Sequence, residues 1–119
     1  MQFLCLVYNE PHMVDGMPDE QRRAFDRDSL AHDRQLRDSG HYIASNALQS
    51  VDRAVTVRMR DNRMSTTDGP FAETKEHLGG YVLIEARDME EATRLASGIP
   101  HARFGSIEVR PIYDVPVLE

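Results

Sequence analysis

The sequence predicts an α+β fold: an antiparallel sheet with two helices packed on one side. Three observations predict it. Short apolar or alternating runs at Phe3 to Tyr8, Ala54 to Arg60 and Tyr81 to Ala86 read as strands. Two helix-period segments lie between strand signals, each closed by Gly. Turn formers punctuate the rest at intervals that suit short strands.

Phe3 to Tyr8 is apolar at nearly every position, so both faces of this strand are covered and it sits centrally. Asn9-Glu10-Pro11 ends it. Asp19 to Ser39 reads as a helix with a mixed stripe of Phe25, Ser29, His32 and Leu36. Gly40 suits the position just past its end, where φ turns positive. His41 to Leu48 is strand-like, with Tyr42, Ala44 and Asn46 on one face and Ile43, Ser45 and Ala47 on the other. Ala54 to Arg60 alternates Val55, Val57 and Met59 against Thr56, Arg58 and Arg60. Asp61-Asn62 is a two-residue hairpin turn, because both side chains tolerate the left-handed region. Arg63 to Thr67 is its partner strand.

Tyr81 to Ala86 is the next strand, and Gly79-Gly80 before it permits a bulge. Asp88 and Glu91 form a capping box for the second helix, whose apolar side is Met89, Ala92, Leu95 and Ala96. Gly98 and Pro100 end it, and Ser106 to Ile112 is the last strand. The order is β-α-β-β-α-β with an extra short hairpin strand, the order of a ferredoxin-like plait. Residues 1–119 form one domain, with 114–119 as a C-terminal tail. The uncovered sheet face is either polar or covered by another chain; Tyr8, Tyr42 and Tyr81 are candidates for a half-polar cavity or interface. Sheet-on-sheet packing predicts a homodimer.

Composition narrows the function. The net charge of −6 argues against a nucleic-acid surface, which needs excess Lys and Arg. Cys5 is the one cysteine, so no intrachain disulfide forms, and it reads as a buried, inert thiol. The opening residues lack a basic leader and are too short for a membrane span, so cytoplasm is expected. No HExxH or close His/Cys/Asp cluster implies a metal. No strand–glycine loop–helix fingerprint implies a nucleotide, so no cofactor is expected.

The densest run of turn formers and charges is Asp68-Gly69-Pro70-Phe71-Ala72-Glu73-Thr74-Lys75-Glu76, followed by Leu78-Gly79-Gly80-Tyr81. It resembles the signature of the DGPF branch of YCII-related proteins. Leu4 to Tyr8, the helix ending in Gly40, Ile99-Pro100 and Ile107 to Pro111 are similar to that family as well. The resemblance covers nearly the whole chain. It implies a dimeric α/β barrel, a plait doubled by sheet packing, in mostly uncharacterised bacterial proteins. For some relatives a His and an Asp near a cleft imply an enzyme.

His32 and Asp68 are the candidate proton-transfer pair. His32 shares a helical side with Phe25 and Leu36, so it points toward the sheet as a packed histidine or as an acid or base in a cavity. Asp68, before Gly69 and Pro70, is either a turn anion or the group that orients the imidazole. Tyr8, Tyr42, Phe71, Lys75 and Tyr81 are candidate ligand contacts, with Phe71 read first as a loop anchor rather than a stacking surface. Glu73 and His77 face together if their segment is helical. Three accounts of function stay open. One is a module that binds a small polar or aromatic metabolite, or that regulates a protein partner. The second is a cofactor-independent isomerase, lyase or hydrolase, and the third is a structural accessory dimer.

Overall fold

The computed structural model describes residues 1–117. Strands β1 (Gln2–Asn9), β2 (Tyr42–Ala47), β5 (His77–Glu85) and β6 (Ser106–Pro111) make one antiparallel sheet in the order β2-β5-β1-β6. Helices α2 (Asp19–Asp38) and α3 (Met89–Ala96) lie on one face of it. A short helix α1 (Pro11–Asp15), for which the sequence carries no helical stripe, precedes α2. Strands β3 (Val55–Arg60) and β4 (Arg63–Asp68) form a separate two-stranded ribbon. The α+β arrangement is consistent with a ferredoxin-like fold.

β1 is central, between β5 and β6. Its alternation sends Phe3, Cys5 and Val7 toward the helices, where they meet Val82 and Ile84 from β5, Leu36 from α2, and Ala92 and Ala96 from α3. Phe3 and Ile84 are 1% exposed, and burying each such side chain contributes roughly 1.5–3 kcal/mol. Cys5 sits in this layer, and burial pushes its thiol pKa up to about 11. The thiolate needed for nucleophilic chemistry is therefore not available near neutral pH.

Local rules explain the joints. Gly40 adopts φ 81°, and the His41 N–H donates to the Leu36 carbonyl at 2.8 Å, which closes α2. Asp61 and Asn62 have φ of 53° and 60° in the tight β3–β4 turn. Asp88 caps α3, accepting from the Glu91 N–H at 2.9 Å, while Glu91 accepts from the Arg87 N–H. The bulge permitted by the glycine pair forms at Gly79: Val7 pairs with Gly80, but Tyr8 pairs with Leu78.

A second bulge corrects the face assignment of β2. Tyr42 pairs with Ile84 and Ala44 with Leu83, so Ile43 is the extra residue. Tyr42 and Ser45 consequently fall on the same side, and their hydroxyls lie 2.8 Å apart. Strict alternation cannot anticipate a bulge, because a bulge belongs to the pair of strands rather than to one.

Among the described residues, no helix covers the other sheet face. Leu4 opposite Leu83 and Leu6 opposite Tyr81 are half-buried there, next to Tyr8. The ribbon is also unsupported. Val55, Val57, Met59 and Met64 form an apolar stripe on one of its faces, each more than half exposed. The radius of gyration is 16.6 Å, against about 13.5 Å expected for a compact chain of this length.

Candidate functional site

The α2 stripe positions the site. Phe25 and Leu36 are buried at its ends, while Ser29 and His32 between them are only half-buried. They leave a gap over the sheet where a fully apolar stripe would have closed it. The gap is a cavity of about 150 Å³ between α2, the sheet and the 3₁₀ turn Pro100–Arg103. Ser29, His32 and Asp33 form one wall; Val7, Ser45 and Val82 belong to the floor; Ile99, Pro100 and His101 close the third side. A cavity of this volume holds one six-membered ring. A larger cleft of about 410 Å³ adjoins it and shares Ser29, Ala47, Gly79 and His101.

His32 is held in one tautomer. Its Nε2 lies 3.0 Å from the Leu95 carbonyl, which can only accept, so Nε2 carries the hydrogen. In the neutral ring, Nδ1 is then the basic nitrogen. Gly98 lies against the same ring: a Cβ there would come within 2.8 Å of His32 Cδ2 and Nε2.

His101 enters from the opposite element. Its ring stands edge-on to Phe25 at 4.6 Å between centroids and near Phe104 at 5.9 Å. Burial lowers its pKa from the ordinary value of 6.5, because an apolar surrounding disfavours the charged form. As pH falls below 6.5, the unfolded chain takes up this proton before the folded one does. Folded stability is therefore lost on acidification through the window between 6.5 and the lower folded value. Thermal melts across that window should show a steeper loss in the wild type than in His101→Phe.

The Ser29 hydroxyl is buried without a hydrogen-bond partner among the described residues. Two serines at helix C-termini behave differently: Ser39 donates back to the Gln35 carbonyl at 2.8 Å and Ser97 to the Arg94 carbonyl at 2.6 Å. Such back-bonding is the ordinary refuge of a helical serine. An unmade bond of this kind costs about 1–3 kcal/mol, so a polar partner at Ser29 would be strongly stabilised.

The residues singled out in the sequence are dispersed. Asp68 is the exposed last residue of β4, opposite Val55, and lines neither cavity. The structure does not bring it and His32 to a common cavity of the chain. The turn role of its neighbour is evident: Gly69 has φ 96°, donates from its N–H to the Ala54 carbonyl at 2.8 Å and accepts from Thr56 Oγ1 at 2.8 Å. Tyr81 borders the smaller cavity from its strand, but its side chain lies on the helix-free face beside Leu6, where the hydroxyl accepts from Asn46 Nδ2 at 2.8 Å. Tyr42 packs against the core beneath the Arg37 guanidinium, 4.4 Å from the ring centre. Its hydroxyl pKa is lowered, first by the Ser45 hydrogen bond and then by Arg37. Tyr8 lies on the helix-free face.

Phe71 anchors no loop in this chain, because its ring is 81% exposed. Polar staples hold that loop instead. Lys75 Nζ pairs with Glu10 at 3.1 Å, and Ser106 Oγ donates to the Glu76 carboxylate at 3.0 Å. Glu73 and His77 do not share a helical turn, since His77 already begins β5. Sequence reasoning missed His101 and the open valence of Ser29. The available signal was the polar pair in an otherwise core-facing stripe.

Among the described residues, no group of three or more His, Cys, Asp or Glu is placed to hold a metal ion. No helix among them is long and apolar enough to cross a membrane.

Comparison with known proteins agrees with this architecture. A 5-chloro-2-hydroxyhydroquinone dehydrochlorinase from Burkholderia phenoliruptrix AC1100, solved with 2,5-dihydroxybenzoquinone, superposes with a TM-score of 0.55. The match covers 95% of this chain and 94% of that one at 15% identity, a likeness of fold. An uncharacterized protein of Rhizobium meliloti (strain 1021) is 32% identical over 114 residues, 94% of this chain and 92% of the relative. The YCII-related domain matches residues 1–116, and with that span and that relative the chain belongs to the YCII-related family.

Proposed function

We propose that the chain is a small-molecule-binding protein whose ligand occupies the cavity between α2, the sheet and the Pro100–Arg103 turn. The observation that carries this reading is the convergence of two histidines from different elements on a space of single-ring size. Polar groups placed around a mostly apolar floor are the usual composition of a ligand site. The ligand class that fits is a small ring bearing hydroxyl or carbonyl oxygens. The Burkholderia enzyme holds a compound of that class on the same fold, although the ligand class here is argued from the cavity.

The working unit is a homodimer. A lone two-stranded ribbon is marginal in water, and the β3–β4 ribbon exposes a continuous apolar stripe. The helix-free sheet face is half apolar as well. A second copy of the chain covers both surfaces in one isologous contact, since a two-fold pairing presents the same patches to each other. Doubling the plait in this way gives a dimeric α/β barrel.

A thermal-shift screen of single-ring hydroxy and keto compounds tests the binding site. Saturation near 100-fold over Kd adds about 2.7 kcal/mol, which is about 10 °C in Tm for a chain of this size. Ala47→Trp places an indole on exposed strand β2, where the two cavities join, and should abolish the shifts. A wild type that no compound stabilises, or shifts that survive in Ala47→Trp, would remove this site from consideration.

A further inference from the structure

We propose that His101 and His32 act together as a two-imidazole proton relay on an enolisable keto compound carrying a single ring. The proposal rests on the reading of the cavity as the ligand site and adds a reaction class and a second catalytic residue to it.

The two rings come from different elements, α2 and the turn after α3, and wall one space of about 150 Å³. A ligand that fills it touches both. Their anchoring differs in a way that suits separate tasks. His32 commits Nε2 to the Leu95 carbonyl, so only Nδ1 serves a ligand. His101 is fixed by packing on Phe25 and Phe104. Facing the ligand from different walls, the rings divide the work, with His101 assigned as base and His32 as acid; burial, which disfavours the charged form of His101, agrees with that division.

Keto-to-enol conversion then balances without a co-reactant. His101 takes the proton from the carbon beside the ligand carbonyl. The C–H electron pair becomes the C=C bond, and the carbonyl oxygen receives a proton from protonated His32. One proton enters the ligand and one leaves, nothing is oxidised or reduced, and the pair stays singly protonated. The rings re-equilibrate with solvent before the next cycle, and the reverse path ketonises an enol. Ser29 lies one turn before His32 on the same wall, but its hydroxyl oxygen is buried from the cavity and takes no part in the proton transfer.

Nucleophilic catalysis fits the same geometry poorly. The Ser29 hydroxyl makes no hydrogen bond to either imidazole, and the Cys5 thiol is buried with its pKa near 11. Proton transfer needs only groups that the cavity already presents.

The test uses phenylpyruvate as probe. Ketonisation of its enol is followed by ultraviolet absorbance, exchange of its methylene protons in D₂O by NMR, and binding by thermal shift, on the intact chain. The wild type should accelerate both reactions over buffer. His101→Phe keeps the aromatic packing on Phe25 while removing the proton carrier. It should lower both rates about 100-fold and keep the thermal shift within a few degrees. His32→Asn should do the same. A folded His101→Phe that retains the wild-type rates overturns the relay. Wild-type binding without acceleration also overturns it and leaves the ligand site standing. Neither binding nor acceleration by phenylpyruvate, together with no hit in the ring-compound screen, overturns both readings.

Discussion

Gly105→Ala should destabilise the protein by about 3 kcal/mol, near the upper end of the cost of forcing atoms into a packed site. A Cβ at this position would fall 2.1 Å from the Tyr8 carbonyl oxygen and 3.2 Å from Asn9 Cα. Those are backbone atoms of the central strand β1, and they cannot swing aside as a side-chain tip can. Tyr8 is also the last β1 residue paired with β6, through Ser106, so the collision sits where that ladder begins. The Gly105 N–H further holds the His101 carbonyl at 2.7 Å, and relief of the clash would carry the His101 turn with it. For a chain of this size the loss corresponds to roughly 10 °C in Tm, measurable by calorimetry. A variant that melts within a degree or two of the wild type would show that this junction yields freely.

Gly98→Ala should have the opposite profile, with a small effect on folding and a large one on the site. The added methyl would meet the His32 ring at 2.8 Å. A ring edge can rotate away, so the cost in stability should stay near 1 kcal/mol. Rotation, however, breaks the bond from Nε2 to the Leu95 carbonyl, which selects the His32 tautomer and aims Nδ1. A displacement of about 1 Å in a reacting group costs on the order of 100-fold in rate. The expected result is a nearly normal melt, loss of the protected Nε2–H signal in the NMR spectrum, and phenylpyruvate turnover reduced about 100-fold. Retention of that signal in Gly98→Ala would mean that the backbone, not the imidazole, had moved.

These two glycines mark the boundary of what the sequence makes legible. Features governed by neighbours along the chain read correctly. The Phe25, Ser29, His32, Leu36 stripe gave the orientation of α2, and the rules for Gly40, Asp61-Asn62 and Asp88 gave the ends of elements. The apolar run of β1 gave its central place. What failed depends on contacts between distant segments. The bulge at Ile43 arises from pairing with β5, and the exposure of Phe71 reflects polar staples to Glu10 and Ser106. The site divides along the same line. His32 was legible because helical periodicity points it inward. His101 was not, because nothing local in Ile99-Pro100-His101 reveals that the turn folds back over α2. Asp68 drew notice through its unusual neighbours, yet the ribbon that carries it stands outside the main sheet.

The central place of β1 has a consequence for the birth of the molecule. Both of its hydrogen-bonding edges are filled by β5 and β6, so residues 2–9 are partnered only by residues from 77 onward. During synthesis at about 5–20 residues per second, the most apolar strand leaves the ribosome before both of its neighbours and waits several seconds for them. Phe3, Cys5 and Val7 stay uncovered for that interval, while α2 and the β3–β4 ribbon, built from local contacts, are free to form early. Nascent chains of this protein should therefore depend on a holding chaperone until β6 is synthesised, and completion of the sheet should come as one late, cooperative step.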